Sequence, residues 1–257
     1  MRILSAALRS AVRSVVWSAF GSAVLNAQPN LLTAKERTAG WQLLFDGRTL
    51  KGWHGLGYTT MPAGLWTVEN GAIKHLEKTK GAVQADGQPI VGFDLISDSS
   101  YQNFELSWSW KISEAGNSGV KYNVSEELST SMSPPHAAKG WEYQIIDDDK
   151  NEDNKLATHR TGALYDMFAP NDKKRVRPAG QWNRSRLVFR GNHGEHWLNG
   201  EKVVEFDAGT HDFGSAFAKS KYAQYPDWFP MRRKGQIVLQ DHDAVVWFRD
   251  IKIHVEK

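Results

Sequence analysis

The side chains of this 257-residue chain that could do chemistry gather in three short, strand-like runs. In 141–147, Glu142 and Gln144 share one side of an extended segment while Tyr143 and Ile145 take the other, because side chains alternate along a strand. In 237–242, Gln240 and His242 share a side opposite Leu239; in 119–122, Lys121 opposes Val120 and Tyr122. If the apolar sets turn inward, an imidazole, a carboxylate, an ammonium and two amides meet on one surface. That set suits proton transfer. An imidazole exchanges protons near neutral pH, which makes His242 the leading candidate base. Glu142 is either the base itself or the acid, and Lys121 can steady negative charge developing on an oxygen. The plainer readings are a loop histidine held between Asp241 and Asp243, a strand carboxylate paired to a cation, and a solvated ammonium.

Other residues are weaker candidates. Arg249 could steady an oxyanion or bridge a carboxylate, but alternation groups it with Trp247 and Ile251 unless a bulge turns it. Asn117-Ser118-Gly119 reads as a turn that presents amide groups to a ligand, and Ser118 lacks the His and Asp partners of a nucleophilic triad. Asp147, Asp148 and Asp149 do not follow a calcium-loop spacing and read as a solvated loop. His159 could enter a cleft. Trp108, Trp110 and Trp141 fall with the apolar sets and read as core. Glu142 has Gln144 and Ile146 at the next positions of its face, so the carboxylate pair of an ordinary glycosidase is missing there. No motif implies a cofactor, no metal ligand set stands out, and a divalent cation is left open.

These groups need rigid elements to hold them, and the chain supplies many short strands. The clearest is 104–112, with Phe104, Leu106, Trp108, Trp110 and Ile112 on one face and Glu105, Ser107, Ser109 and Lys111 on the other. A meander follows at 185–190, 194–198 and 202–206, with Asn199-Gly200 as a hairpin turn between the last two. Strands also fit 141–147, 235–240 and 245–255. Many strands without intervening helices predict an all-β sandwich of two antiparallel sheets. Three stretches break the rhythm as loops, 78–93, 124–140 and 208–234, and the last is aromatic enough to wall a cleft.

The N-terminus reads differently. Arg2, Arg9 and Arg13 precede a short apolar run at 15–25 that ends near Ala27, the layout of a signal peptide over 1–27. Residues 28–39 then form a linker before a single domain at 40–257. Losing three arginines takes the 32 Lys plus Arg to 29, against 29 Asp plus Glu, so the exported part is neutral overall. With no basic run interleaved with aromatics, nucleic acid is not an expected partner. The absence of cysteine excludes disulfides and thiolate metal sites. Eleven tryptophans mildly favour a sugar ligand.

Ten segments in order carry a resemblance. They are Gly40-Trp-Gln-Leu-Leu-Phe-Asp-Gly47 with Leu50-Lys-Gly-Trp53, Trp66-Thr-Val-Glu-Asn-Gly71, Asn103-Phe-Glu-Leu106, Gly116-Asn-Ser-Gly119 and Trp141-Glu-Tyr-Gln-Ile-Ile-Asp147, then Gly162-Ala-Leu-Tyr165, Pro178-Ala-Gly-Gln-Trp-Asn183, Trp197-Leu-Asn-Gly200, Leu239-Gln-Asp-His242 and Trp247-Phe-Arg-Asp-Ile251. Together they resemble the 3-keto-glycoside lyase/hydratase family, also called 3-keto-disaccharide hydrolases, over 40–255. The resemblance implies a concanavalin A-like jelly roll and export to the periplasm. It implies a small oxidised carbohydrate as substrate, a di- or oligosaccharide or glucoside whose C3 hydroxyl a separate dehydrogenase has turned into a ketone. The reaction implied is C2 proton abstraction, elimination of the C1 substituent and hydration. His242, Glu142 and Lys121 would then be catalytic, with Gln144, Gln240, Asn117, Arg249 and Tyr165 binding substrate. A non-catalytic sugar-binding module is the alternative from another class.

Overall fold

A computed structural model describes residues 29–59, 61–62, 64–77, 92–133, 137–226 and 228–256. The expected signal peptide and most of the 78–93 loop lie outside the described residues. The strands in chain order are β1 (Gln42–Leu43), β2 (Trp53–Gly55), β3 (Trp66–Glu69), β4 (Ala72–His75), β5 (Leu95–Tyr101) and β6 (Phe104–Ile112). Then come β7 (Asn117–Val124), β8 (Trp141–Ile146), β9 (Asn183–Arg190), β10 (His193–Leu198), β11 (Glu201–Asp207), β12 (Gly235–Leu239) and β13 (Val246–Val255). Short helices α1 (Ala34–Thr38), α2 (Glu126–Ser131) and α3 (His211–Lys219) fill connections.

The strands form two antiparallel sheets. An eight-stranded sheet runs β11-β10-β9-β6-β13-β4-β3 with β1 also paired to β13, and a five-stranded sheet runs β2-β5-β12-β7-β8. This is the jelly-roll sandwich expected from the strand pattern and the resemblance. The hairpin between β10 and β11 turns on Asn199 and Gly200 at φ 50° and 94°. Positive φ at both central positions matches the right-handed twist of the flanking strands.

Alternation on β6, β7 and β8 decides what lies between the sheets. Trp108 and Trp110 from the larger sheet meet Tyr122 and Tyr143 from the smaller, all buried as expected. The indole of Trp108 meets the ring of Tyr143 edge-on, centroids 5.0 Å apart. The polar tips of this core are bonded in series. Trp110 Nε1 donates to Ser185 Oγ at 2.8 Å, Ser185 donates to the Tyr143 hydroxyl at 2.9 Å, and Tyr143 donates to the Trp197 carbonyl at 3.0 Å. This series satisfies the polar tips of Trp110, Ser185 and Tyr143, whereas Trp108 Nε1 is buried without a hydrogen-bond partner.

His196 is buried in the same layer. Its Nδ1 lies 3.0 Å from the Gly162 carbonyl and its Nε2 3.0 Å from the Tyr122 hydroxyl, an arrangement that fits neutral imidazole. Burial pulls its pKa down to about 4, although the Gly162 carbonyl acts the other way. An unfolded chain takes up this proton near pH 6.5, whereas the folded one does not until about pH 4. The stability that His196 contributes is therefore whole above pH 6.5 and is lost as pH falls, about 3 kcal/mol by pH 4. Denaturant titrations of wild type and His196→Gln at pH 7, 5.5 and 4 should show the gap between them shifting by that amount. A gap that does not change with pH would contradict the assignment.

Three loop expectations change, and the stretch 124–140 holds α2 with Ser125 as its N-cap. The linker region holds the helical turn α1, and Asn30 docks it by accepting from the Asp250 amide at 2.9 Å and donating its own amide to the Asp250 carboxylate at 2.7 Å. Within 208–234 lies α3, whose N-cap Thr210 accepts from the Phe213 amide. Phe213 and Phe217, four apart on one helical face, pack edge-on against Trp141 at 5.4 and 6.2 Å.

Candidate active site

The outer face of the five-stranded sheet collects the residues read from the sequence. β7 and β8 pair with Lys121 opposite Glu142 and Gly119 opposite Gln144. Gln240, just past β12, donates its backbone amide to the Gly119 carbonyl at 3.0 Å and so continues the ladder. Asn117-Ser118-Gly119 is strand rather than the expected turn, because β7 is paired to β8 and β12 on its two sides. Ser118 faces inward, is fully buried and donates to the Gln240 carbonyl, which removes it as a nucleophile. Asn117 accepts from the Gln144 amide at 3.3 Å on the ligand side.

Gly119 makes the room. A Cβ there would lie 3.0 Å from Glu142 Oε1 and 3.1 Å from Gln240 Oε1, so both oxygens occupy the space above the glycine. The Oε1 atoms of Gln144 and Gln240 are buried without a hydrogen-bond partner. Orphaned acceptors of this kind are costly and suit a ligand rich in hydroxyl donors.

Opposite charges hold Glu142 and Lys121 ionised, whereas burial raises the carboxyl of Asp94. Glu142 is 2% exposed, and burial alone would push its pKa up. Lys221, with Nζ 3.3 Å from Oε2, and Lys121 outweigh burial and hold it below the usual carboxylate range. Burial pulls Lys121 down, but Asp94, at 3.8 Å, and Glu142 outweigh it and hold the ammonium charged. Asp94 is itself oriented by the backbone amides of Asp241 and Ala138 at 2.8 and 3.1 Å.

His242 is exposed at the mouth. It lines one cavity of about 330 Å3 with Asp94, Lys121 and Gln240, and an adjoining one of about 400 Å3 with Asn117. Its neighbour Asp241 turns inward, with a carboxylate oxygen 3.0 Å from His75 Nε2. Burial pushes Asp241 up, but the His75 hydrogen bond overrides it and keeps the carboxyl ionised. His75 is fully buried and its Nδ1 faces the Ala244 carbonyl at 2.8 Å, so the turn carrying His242 is pinned at two points.

Tyr165 stands beside Glu142, its amide donating to the Glu142 carbonyl at 3.0 Å. Its ring supports the Lys221 ammonium, 3.9 Å from the centroid, and its hydroxyl donates to Asp153. His159 stacks on the other face at 4.3 Å between Asp153 and Asp166; it backs the wall instead of entering the cleft. Tyr222 and Tyr225 come from the long aromatic loop that was expected to wall a cleft, whereas Lys221 from the same loop and Asp94 are the site residues that sequence reasoning missed. Tyr225 senses both Lys121 and Glu142, and burial keeps its phenol neutral.

Arg249 is not in this site. A left-handed Asp250 at φ 54° shifts the β13 register against β6, so Arg249 and Trp247 leave the apolar side while Ile251 stays in the core. The bulge turns Arg249 outward on the eight-stranded sheet, away from the other candidates. The acidic run is structural rather than solvated: Asp147 accepts from the amides of Ala115 and Asp149, and Asp148 pairs with Lys174 at 2.6 Å. Among the described residues, His193, Glu195 and Glu205 could also offer atoms to a cation, but Lys202 already pairs with both carboxylates at 3.2 and 2.7 Å.

A family model described as a 3-keto-α-glucoside-1,2-lyase-like domain matches residues 40–254. The chain belongs to that family. Its lyase-like domain is 34% identical over 233 residues to a 3-keto-disaccharide hydrolase of Bacteroides thetaiotaomicron, covering 84% of this chain and 78% of the relative. A crystal structure of a provisionally named glycosyl hydrolase from Parabacteroides distasonis superposes with a TM-score of 0.73 at 32% identity, covering 90% of this chain and all of that one. A second from the same species gives 0.60 at 25% identity, covering 84% and 99%. The lyase-like domain contains every strand of both sheets except the last residue of β13.

Proposed function

We propose that this lyase-like domain hydrolyses 3-keto-glycosides by way of their C2 proton. The observation that supports this best is the gathering of Lys121, Gln240 and His242 around one cavity, with Glu142 paired opposite Lys121, the ammonium held charged and the carboxylate held ionised. A C3 ketone acidifies the C2 proton, since the resulting carbanion is delocalised as an enolate. His242 takes that proton, and the Lys121 ammonium meets the negative charge growing on the C3 oxygen. The C1–O bond then breaks and its electron pair leaves with the aglycone oxygen. Glu142, held ionised, is unsuited to donate a proton, so the Lys221 ammonium protonates the departing oxygen.

Hydration closes the cycle. Water adds at C1 of the 2-hydroxyglucal ketone, Glu142 accepts its proton, and imidazolium at His242 returns a proton to C2. The 3.3 Å contact from Glu142 to Lys221 lets the carboxylic acid recharge the amine. Glycoside and water become keto sugar and free aglycone. Gln144, Gln240 and Asn117 bind sugar hydroxyls, and Tyr165 positions Lys221. The direct assay offers the purified protein a 3-keto glucoside and its unoxidised parent and follows aglycone release. Release from the keto form alone is expected. Release from neither, over both anomers, would overturn the proposal in favour of a sugar-binding module.

Gly119→Ala should separate site from fold. The added methyl presses on Glu142 and Gln240 from 3.0 and 3.1 Å, so turnover should fall at least tenfold on the principle that small misplacements are costly. Thermal unfolding should move by only a few degrees; unchanged turnover would contradict the placement of these oxygens.

The substrate's ketone requires an oxidoreductase acting earlier on the C3 hydroxyl. Arg2, Arg9 and Arg13 ahead of the 15–25 apolar run support export to the periplasm. Expressed from its own start in a Gram-negative host, the chain should be recovered from the periplasm shortened near Ala27. A full-length cytoplasmic product would contradict export.

A further inference from the structure

A cavity of about 580 Å3 lies on the opposite side of the sandwich from the candidate active site, on the outer face of the eight-stranded sheet. Arg177, Arg184, Arg186 and Arg249 line it, together with Trp182 and Trp197, and no carboxylate does. Glu105 and Asp250 lie against Arg186 and Arg249, whereas Arg177 and Arg184 make no ion pair among the described residues, so an anionic occupant would meet two uncompensated cations. In an otherwise balanced domain the concentration of charge here is local.

Two of the four arginines are held in place by the tryptophans. The Arg186 guanidinium lies 4.1 Å from the Trp197 ring centroid, and that of Arg249 lies 3.9 Å from Trp182. Stacking fixes the plane of each fork and leaves its edge free to donate. Arg249 Nε is buried without a hydrogen-bond partner; its nearest carboxylate, Asp250, is 3.6 Å away. Arg186 already shares Glu105 at 3.0 Å, whereas Arg184 is exposed and makes no ion pair among the described residues. Ser107 and Ser109 lie on the floor, the Ser109 hydroxyl donating to Asp250 at 3.1 Å.

We propose that this cavity is a second, non-catalytic site that binds an acidic saccharide through a carboxylate or sulfate group. Flat, preoriented guanidinium forks match the paired oxygens of such groups. That a sugar carries the anion rests on the glycoside-cleaving reading of the opposite sheet; binding is measured without turnover, so the two readings can fail separately. A site here would hold the protein on an acidic glycan while the cleft works on a released oxidised sugar.

Calorimetry with the purified exported form tests it, using trigalacturonate, a sulfated galactose tetrasaccharide, maltotriose and a short oligothymidylate. Binding of at least one acidic sugar, none of maltotriose, and a tenfold or greater loss in Arg184→Glu are expected, with aglycone release unchanged in that variant. Arg249→Gln, which removes the charge and keeps a polar amide, should weaken the same ligand and provides a second reading if the charge reversal perturbs the fold. The preferred acidic sugar tells carboxylate from sulfate recognition. Binding of neither acidic sugar, equal binding of maltotriose, or equal binding of oligothymidylate released by the same variants would overturn the proposal.

Discussion

Lys121→Met should lower kcat on a 3-keto-glucoside by about a hundred- to a thousandfold, the cost of removing one preorganised donor from a developing oxyanion. Lys121 is 7% exposed and is kept charged by Asp94 and Glu142 against the pull of burial. In the proposed reaction it would meet the substrate with its proton in place, which suits an electrophile and disqualifies it as a base. Methionine keeps the length and loses the charge, and Asp94 retains its two backbone donors. The fold should therefore survive, checked by circular dichroism and thermal unfolding. A variant that turns over normally would remove Lys121 from the chemistry and leave it as a partner for Asp94.

His242→Ala should cost about a hundred- to ten-thousandfold in kcat/KM, the usual range for removing a general base. The side chain is exposed and lines the cavity, so truncation leaves no buried hole. Added imidazole, small enough to enter from the mouth, should restore part of the lost rate. That rescue separates a proton carrier from a residue that only shapes the turn. The comparison variant is Glu142→Gln. If it abolishes exchange at C2 while His242→Ala does not, the buried carboxylate is the base and the imidazole assists elsewhere.

Much of this site was legible because β7, β8 and the end of β12 are regular strands. Two-residue alternation puts Lys121, Glu142, Gln144 and Gln240 on the side opposite Tyr122, Tyr143 and Leu239, whatever the tertiary fold. The core tryptophans followed from the same rule. What alternation does not carry is which sheet a strand joins and where its rhythm breaks. Arg249 shows both limits. The left-handed Asp250 turned it outward, as a bulge would, yet onto the wrong sheet, because β13 pairs with β6 and β4 rather than with β7.

The aromatic loop was expected to wall a cleft, but its contribution of Lys221 could not be read. Lys221 reaches Glu142 across 79 positions of sequence, steered by its amide to Asp166 at 2.6 Å and by the ring of Tyr165. No local period encodes such a contact. Helix α3 left a fainter trace in Thr210, Phe213 and Phe217. Its nine residues are too few for a periodic signal, and Gly214 sits inside them.

In the proposed reaction, cleavage passes through the C2 proton. The most direct test runs the reaction on a 3-keto-glucoside in deuterated water and reads the released keto sugar by mass spectrometry and proton NMR, beside an enzyme-free sample of the same keto sugar. The exposed imidazole of His242 exchanges with solvent, so deuterium at C2 above the enzyme-free control is expected in step with aglycone release. Release at full rate with C2 protium retained would mean direct displacement at C1 and would contradict the account.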